Sequence, residues 1–423
     1  MTADVSTAAP EERQRSLLAR HADFRRLFTA YSLSQVGTQV SYVAVPLVAI
    51  EALHAGSAQV SALAFLGSLP FLLVGLQAGA WLERMRRRPV LIVTDLVRGG
   101  LIASVPIAWA FDALTSVHLY LAVLLVGVAT VFFEVASGAY IPHLVGRDNL
   151  LEANAKLGGM FAGAEVAGRS IGGFLVQALT APYALVVNAV TYLWSALWLG
   201  VIRKQEPQVE KTGAAKPLWP DVKAGLGYVF GNGVLRTISL ETSWSNFCLR
   251  IVITLVPVLY VSELHRSAAL VGAFLTAGGA GVFVGAAVAR RIGSKVGYGR
   301  ALWLSGACCG PFALVVPFAV HGAAVWIGIV AWGLATVKVG FDNVLKGSIR
   351  QLVTADDMMA RMGATYRFLI TGVLAIGSGA AGVLAGTAGV RTAVLVGAAG
   401  LAVSWLMLFF SPVRAIRELP GTA

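Results

Sequence analysis

The sequence predicts an all-α membrane protein whose twelve transmembrane helices form two pseudo-symmetric six-helix bundles. Three observations carry this expectation. The chain of 423 residues is 57% hydrophobic and only 13% charged, with mean hydropathy +0.75, whereas soluble domains carry about 25% charged residues. Its apolar residues fall into runs matching the ~20 helical residues that cross a bilayer core. Finally, Val131-Phe132-Phe133-Glu134 through Asp148 returns 208 residues later as Val339-Gly340-Phe341-Asp342 through Asp356. Ile141/Ile349, Leu144/Leu352 and Val145/Val353 are identical pairs, and one acidic position is kept in kind.

In chain order, residues 1–26 are polar and basic and hold no apolar core with a cleavage site, so they read as a cytoplasmic tail. Six apolar spans follow near 27–52, 58–81, 89–111, 118–142, 158–179 and 182–202, giving an N-terminal bundle over 27–202. A second six lie near 235–261, 268–289, 301–320, 323–345, 364–387 and 390–411, giving a C-terminal bundle over 235–411 and a short tail over 412–423. Between them, 203–234 is a linker, polar from Arg203 to Lys216. After Pro217 and Trp219, Val222, Leu226, Val229 and Phe230 share one helical face. That pattern fits an interfacial helix with Trp219 at headgroup level, or else a solvated loop.

Orientation follows from lysine and arginine, which gather on the cytoplasmic side. Arg84, Arg86, Arg87 and Arg88, then Arg147 and Lys156, then Arg290, Arg291, Lys295 and Arg300, then Lys346, Arg350 and Arg361 lie on one side; only Arg266 and Arg391 lie on the other. Both termini are therefore expected in the cytoplasm, and six spans separate the repeated stretches, so both copies point the same way. The net charge of +12 is spread over these loops rather than gathered on one domain, which favours an anionic lipid leaflet over nucleic acid. Weak internal repeats in strongly apolar chains are the pattern of secondary transporters.

Other functions lack their residues. No phosphate-binding loop, catalytic constellation or metal-ligand cluster occurs; the six histidines are scattered at or near span ends. Cys248, Cys308 and Cys309 lie in apolar runs and imply no disulfide framework. The expectation is a chain that is not an enzyme, with no cofactor or metal, the lipid bilayer and a small-molecule substrate as partners, and no obligate protein partner.

Ionisable groups at membrane depth cost at least ~2.5 kcal/mol each, so they face a cavity or a partner. Glu134 stands in the fourth span; Glu165 and Arg169 stand one helical turn apart in the fifth, able to pair. Two acids at similar depth beside one arginine read as a proton site. Asp342 lies between Lys338 and Lys346 at helical spacing and reads either as a second proton site or as a structural ion pair. Glu241 and Arg250 stand in the seventh span and Arg367 in the eleventh. Arg250 reads as a cavity residue facing an anionic group or as an interhelical donor. Gln35, Thr38, Gln39 and Tyr42 of the first span, with Trp244 and Asn246 of the seventh, supply polar anchors for an amphiphile or serve helix packing. Gly281 with Gly285, and Gly382 with Gly386, are spaced for close helix contact.

At the turn after the second span stands Gly79-Ala80-Trp81-Leu82-Glu83-Arg84-Met85-Arg86-Arg87-Arg88. It resembles the loop signature of the major facilitator superfamily, with Glu83 for the usual Asp and Arg86 for the second Gly. The matching turn from Gly285 to Arg300 lacks the acid, so a latch built on it is one-sided. Phe24-Arg25-Arg26-Leu27, Thr94-Asp95-Leu96-Val97-Arg98, and Ile141-Pro142-His143-Leu144-Val145 followed by Glu152-Ala153-Asn154 resemble the siderophore and macrolide exporter-like branch of that superfamily. The resemblance runs from about residue 24 to 411. It implies the superfamily's fold of two six-helix bundles, alternating access, a cell-membrane location and export coupled to proton entry. It also implies a gating-loop role for Gly79, Glu83, Arg84, Arg87, Arg88, Asp95 and Arg98. In the fifth span, Gly168-Arg169-Ser170-Ile171-Gly172-Gly173 places Arg169 where antiporters of the superfamily carry proline. The sequence thus points to an exporter of small hydrophobic or amphiphilic molecules. Its rivals are an uptake transporter or lipid flippase on the same fold, and a non-transporting sensor or membrane-embedded enzyme.

Overall fold

The computed structural model describes residues 16–82, 85–146, 148–204, 206, 218–319, 321–355 and 358–417. Glu83, Arg84, Arg147, Asp356, most of the linker and both outermost tails therefore lie outside the described residues, as do the side chains of 218–222.

After a single turn at Leu17–Arg20, the first run of helices is α1 (Ala22–Leu53), α2 (Ser57–Leu73), α3 (Gly75–Leu82), α4 (Arg87–Ala110), α5 (Ser116–Val145), α6 (Leu150–Leu179) and α7 (Ala181–Gly200). Next come α8 (Leu218–Gly231), α9 (Gly233–Pro257), α10 (Ala268–Val296), α11 (Tyr298–Cys309), α12 (Ala324–Val353), α13 (Met359–Ala388), α14 (Val390–Val403) and α15 (Trp405–Phe409). Among the described residues, nine helical segments are long and apolar enough to cross a membrane. Three of the expected spans differ, each for a local reason. The span near 58–81 is interrupted at Val74, one turn after Pro70, which leaves α2 at 17 residues. The span near 301–320 leaves α-helix at Gly310-Pro311 and continues as a 3-10 turn, Gly310–Val315. Helix α6 has length but not apolarity, because Glu165, Arg169 and a run of glycines dilute it.

Several helices outrun the apolar runs that announced them: α1 starts at Ala22, α6 at Leu150 and α12 ends at Val353. Polar turns at the helix ends cost nothing in water, so hydropathy marks the membrane crossing and not the helix. The repeat is more sharply registered than expected. Helices α5 and α12 are each 30 residues long, and Ser116/Ala324 and Val145/Val353 keep the 208-residue offset at both ends.

Within the first run, α1 packs on α6 and α7, and α4 on α5 and α7. Within the second, α10 packs on α12, and α9 on α13 and α14. The two runs meet along two seams, α2 against α13 and α6 against α10. Small residues bring the seams close. A Cβ on Gly173 would fall 2.8 Å from Gly272 Cα, and one on Gly382 would fall 2.8 Å from Ser61 Cβ. Both contacts sit toward the helix ends opposite the basic loops. Gly281 and Gly285 of the small-residue pairs press α10 against the α12 backbone at Gly333 and Val337, whereas Gly386 meets nothing within 4 Å.

The segment after Pro217 is helical. Val229 is buried with Leu235 and Met362, Gly225 touches Arg361 and Thr365, and Tyr228 Oη accepts from Ala355 N at 3.1 Å. Its inner face therefore rests on the start of α13, with Phe230 exposed.

Candidate functional site: a cavity between the two helix runs

Two adjoining cavities, of about 460 Å³ and about 720 Å³, lie between the runs and share Gly67, Ser68, Phe71 and Glu134. The first is closed in by Val45, Pro46, Val60, Ile253 and Pro257. The second extends to Gly75, Gly363 and Ala364, toward the helix ends bearing the basic loops.

Among the described residues, three acidic or basic side chains line this space: Glu134 both cavities, Arg250 the first and Arg367 the second. Glu134 is exposed to the cavity, and Arg367 and Arg98 are the cations whose fields reach it. The expected group of Glu134, Glu165 and Arg169 is only half assembled. Arg169 Nη2 pairs with Glu165 Oε1 at 2.8 Å, Arg169 Nε donates to Gln39 Oε1 at 3.1 Å, and its guanidinium lies over the Tyr42 ring at 5.2 Å. Helical spacing brought Glu165 to Arg169, but the rotation of α5 turns Glu134 into the cavity toward Arg367 instead.

Arg250 makes four hydrogen bonds. Nε donates to Ser378 Oγ at 2.7 Å and Nη1 to Tyr42 Oη at 3.0 Å, while Nη2 donates to Ala64 O and Ser68 Oγ, each at 3.1 Å. Tyr42, Ala64 and Ser68 belong to the first run, so one arginine of α9 bridges the halves. Thr38 also lines the first cavity, with its hydroxyl 3.1 Å from Tyr192 Oη. Gln35 is half-buried and lines neither cavity.

Trp244 and Asn246 do not join the site. Trp244 Nε1 donates to Gly400 O at 2.9 Å and its ring stacks on Phe247, while Asn246 Nδ2 donates to Thr242 O at 2.9 Å. Trp244 is spent on packing α9 against its neighbour and Asn246 on its own backbone; Asn246 shares the face of Arg250 but stands one turn before it, outside the lining of either cavity.

Asp342 lies outside the cavity as well. It is 8% exposed and sits in a four-charge cluster buried within the second run. Lys338 Nζ lies 2.6 Å from Asp342 Oδ2 and 2.8 Å from Glu241 Oε1; Lys346 Nζ lies 2.9 Å from Asp342 Oδ2 and also pairs with Glu241 Oε2. Ser245 Oγ completes the cluster, donating to Glu241 Oε1 at 2.7 Å. Two carboxylates and two ammonium groups cancel, which is how so much charge remains out of water.

Of the loop motif, Gly79 lies in α3 with open space around it. Arg87 and Arg88 act through their backbones: both amides donate to the Glu206 carboxylate, at 2.7 and 3.0 Å. Glu206 thus supplies a carboxylate at the α4 N-terminus, where exposed amides and the helix dipole favour one. Arg88 Nε also reaches Leu199 O at 3.0 Å. Asp95 and Arg98 form a buried pair one turn apart, with the Arg98 guanidinium 4.0 Å from the Phe133 ring centroid and 4.4 Å from that of Tyr192. In the other half, the same turn is held through the backbone, Gly299 N donating to Ile416 O at 2.8 Å. In both halves the segment after the last helix folds back over this turn.

Outside the spans, Glu152 holds the tail. It accepts from Leu17 N at 2.7 Å and from Arg20 Nη2 at 3.0 Å, and these bonds hold its carboxyl below the ordinary 4.5. Sequence reading had not singled out Ser68, Ser378 and Glu206 as parts of the machinery. The two serines are single small hydroxyls in apolar helices, and Glu206 stands among other linker charges; nothing local distinguishes them.

The sequence pattern of the Major Facilitator Superfamily matches residues 27–341. The multidrug efflux pump Tap of Mycolicibacterium fortuitum is 27% identical over 222 residues, which cover 51% of this chain and 53% of that protein. This match spans only about half the relative's length. An uncharacterised MFS-type transporter, YfiS of Bacillus subtilis, is 23% identical over 400 residues, covering 86% of this chain and 93% of the relative. Among solved structures, a bacterial homologue of the iron transporter ferroportin in its inward-facing state aligns with TM-score 0.74 and 16% identity, covering 93% of this chain and 99% of the other. The nucleoside transporter NupG aligns with TM-score 0.65 and 12% identity, covering 92% and 99%. Together with the all-helical fold around a central cavity, these matches identify the chain as a multi-pass membrane transporter of the Major Facilitator Superfamily.

Proposed function

We propose that the chain is a twelve-span, proton-coupled exporter of small hydrophobic or amphiphilic molecules, of the siderophore and macrolide exporter-like kind, working by alternating access. On this reading α2 with α3, and α11 with the turn after it, each complete one crossing. Both termini face the cytoplasm, and the basic loops mark the inner face of the cell membrane. The observation that carries the proposal is Glu134: it is the one carboxylate among the described residues lining the cavity, and it is exposed to it. Intramembrane carboxylates that face a cavity are the groups that bind and release protons in transporters.

The closed seams at Gly173/Gly272 and Gly382/Ser61 lie on the side opposite the basic loops, so the conformation is inward-facing and ready to load. An ionised Glu134 offsets the charge of Arg367 across the cavity, and a protonated one leaves that charge without an offset. Proton entry and substrate exit thereby act on one shared charge balance. Glu165, already paired with Arg169 at 2.8 Å within α6, orients the arginine that reaches Gln39 of α1 and is not the coupling acid.

The test is substrate efflux from cells, followed by transport in proteoliposomes across an imposed pH gradient. Glu134→Gln is expected to lose about tenfold or more of gradient-driven transport while Glu165→Gln keeps most of it. Wild-type rates in properly folded Glu134→Gln protein overturn the proton role, and the absence of any compound whose accumulation changes with expression overturns export.

A further inference from the structure

The charge balance of the cavity says what class of molecule it receives. Glu134 is its one acid among the described residues, against two cations, Arg250 and Arg367. Arg250 differs from four other buried or half-buried cations among the described residues. Arg98, Arg169, Lys338 and Lys346 each have a carboxylate partner. Arg250 spends its four hydrogen bonds on two serine hydroxyls, a tyrosine hydroxyl and a backbone carbonyl, all neutral. These acceptors hold its orientation but leave its charge unmet in a setting where an unpaired cation is costly. Around it stand Val45, Val60, Leu63, Val123 and Ile253, an apolar sleeve closed at its far end.

We propose that Arg250 is the receptor for an anionic group, carboxylate or phosphate, on an amphiphilic substrate whose apolar body fills that sleeve. A planar guanidinium takes such a group through two parallel N–H donors, and Nη1 and Nη2 are the two donors turned toward the first helix run. Capture of the anion by these nitrogens withdraws them from Tyr42 Oη, Ala64 O and Ser68 Oγ, the three bonds through which Arg250 ties the halves. The bond from Nε to Ser378 lies within the second run and stays. Binding of the head group therefore loosens the closed end of the cavity, which makes loading a cause of opening. The mechanistic half of this inference rests on the transport reading; the anion site does not.

The test separates the two. Calorimetric titration of the purified protein in a nonionic detergent compares 4-phenylbutyrate, 4-phenylbutanol and 4-phenylbutylamine, which share one apolar body and differ in head charge. The carboxylate is expected to bind about tenfold more tightly than the alcohol, and the amine most weakly. Arg250→Gln is expected to abolish that ranking and Arg250→Lys to keep it. Arg290→Gln, which removes equal charge at the loop end of α10, leaves it unchanged. A ranking that survives Arg250→Gln, that is lost equally in Arg290→Gln, or that favours the amine overturns the anion site. A misfolded Arg250→Gln protein does not stall the test, because an amine-preferring wild type already refutes it. Repeating the titration in phosphatidylcholine nanodiscs with and without phosphatidylglycerol distinguishes the source of the anion. Weakened phenylbutyrate binding with phosphatidylglycerol points to a lipid head group and unchanged binding to a free amphiphile, and the anion site stands in either case. Anion-selective binding without any transport would remove the transport reading and leave the site intact.

Discussion

Glu134 and Asp342 hold the same place in the internal repeat, on helices of identical length and register, yet their surroundings share almost nothing. Glu134 opens onto a cavity and has only the fields of Arg367 and Arg98 for company. Asp342 is sealed among Lys338, Lys346 and Glu241, with ion-pair distances of 2.6 and 2.9 Å to the lysines. The difference lies in what the neighbouring helices present. Glu241 of α9 and the two lysines of α12 converge on Asp342, whereas among the described residues nothing equivalent in the first run closes over Glu134. A repeat therefore fixes where an acid stands and leaves its role to its partners: a mobile proton needs access, and a structural charge needs neutralisation.

The largest effect that can break this comparison is on stability. Glu241→Ala leaves two buried lysines facing one carboxylate, and removing one partner of a buried ion pair costs about 3–5 kcal/mol. Unfolding in nonionic detergent, followed by circular dichroism, is expected to show a loss of that size for Glu241→Ala and little change for Glu134→Gln. Equal losses would place both acids in structural roles.

A smaller effect, on activity, sharpens the same contrast. Measured per folded molecule in proteoliposomes, Asp342→Asn is expected to keep gradient-driven transport within about twofold, where Glu134→Gln loses about tenfold. A proton-uncoupled Asp342→Asn protein of normal stability would move the coupling site into the second half and refute the division of labour.

The smallest effect belongs to a carboxylate that is neither buried nor facing the cavity. Glu152 is held below its ordinary value of 4.5, first by the Leu17 amide and then by Arg20. A lowered value means that ionised Glu152 favours the docked tail. That contribution is complete above about pH 4.5 and fades as pH falls through the lowered value. Amide exchange at Leu17, normalised for intrinsic pH dependence, is expected to quicken only in that acid range, and Glu152→Gln to show quick exchange at neutral pH. A Leu17 amide equally protected in Glu152→Gln would show that the tether is not electrostatic.

Much of the architecture was legible in the chain. Apolar runs suit lipid, so an all-helical membrane bundle and most of its long crossing segments follow from one-dimensional order. Helical spacing is local too, and it rightly joined Glu165 to Arg169 and Asp342 to both lysines. The same reasoning failed wherever the partner came from another helix. It grouped Glu134 with Glu165, placed Trp244 and Asn246 in the cavity, and passed over Ser68, Ser378 and Glu206. The helix break at Gly310 stands beside Pro311 and the one at Val74 comes a turn after Pro70, but hydropathy averages over both.

By itself, the sequence determined that this protein is a bundle of membrane helices with few charges, and which of those charges share a helical face. Only the tertiary structure decided which charges meet. The rotation of each helix about its axis is set by packing of small residues such as Gly173 on Gly272 and Gly285 on Val337. Glu134 and Asp342 share one register, and the partners that neighbouring helices bring leave one open to a cavity and the other sealed; no pattern within a single helix records those partners.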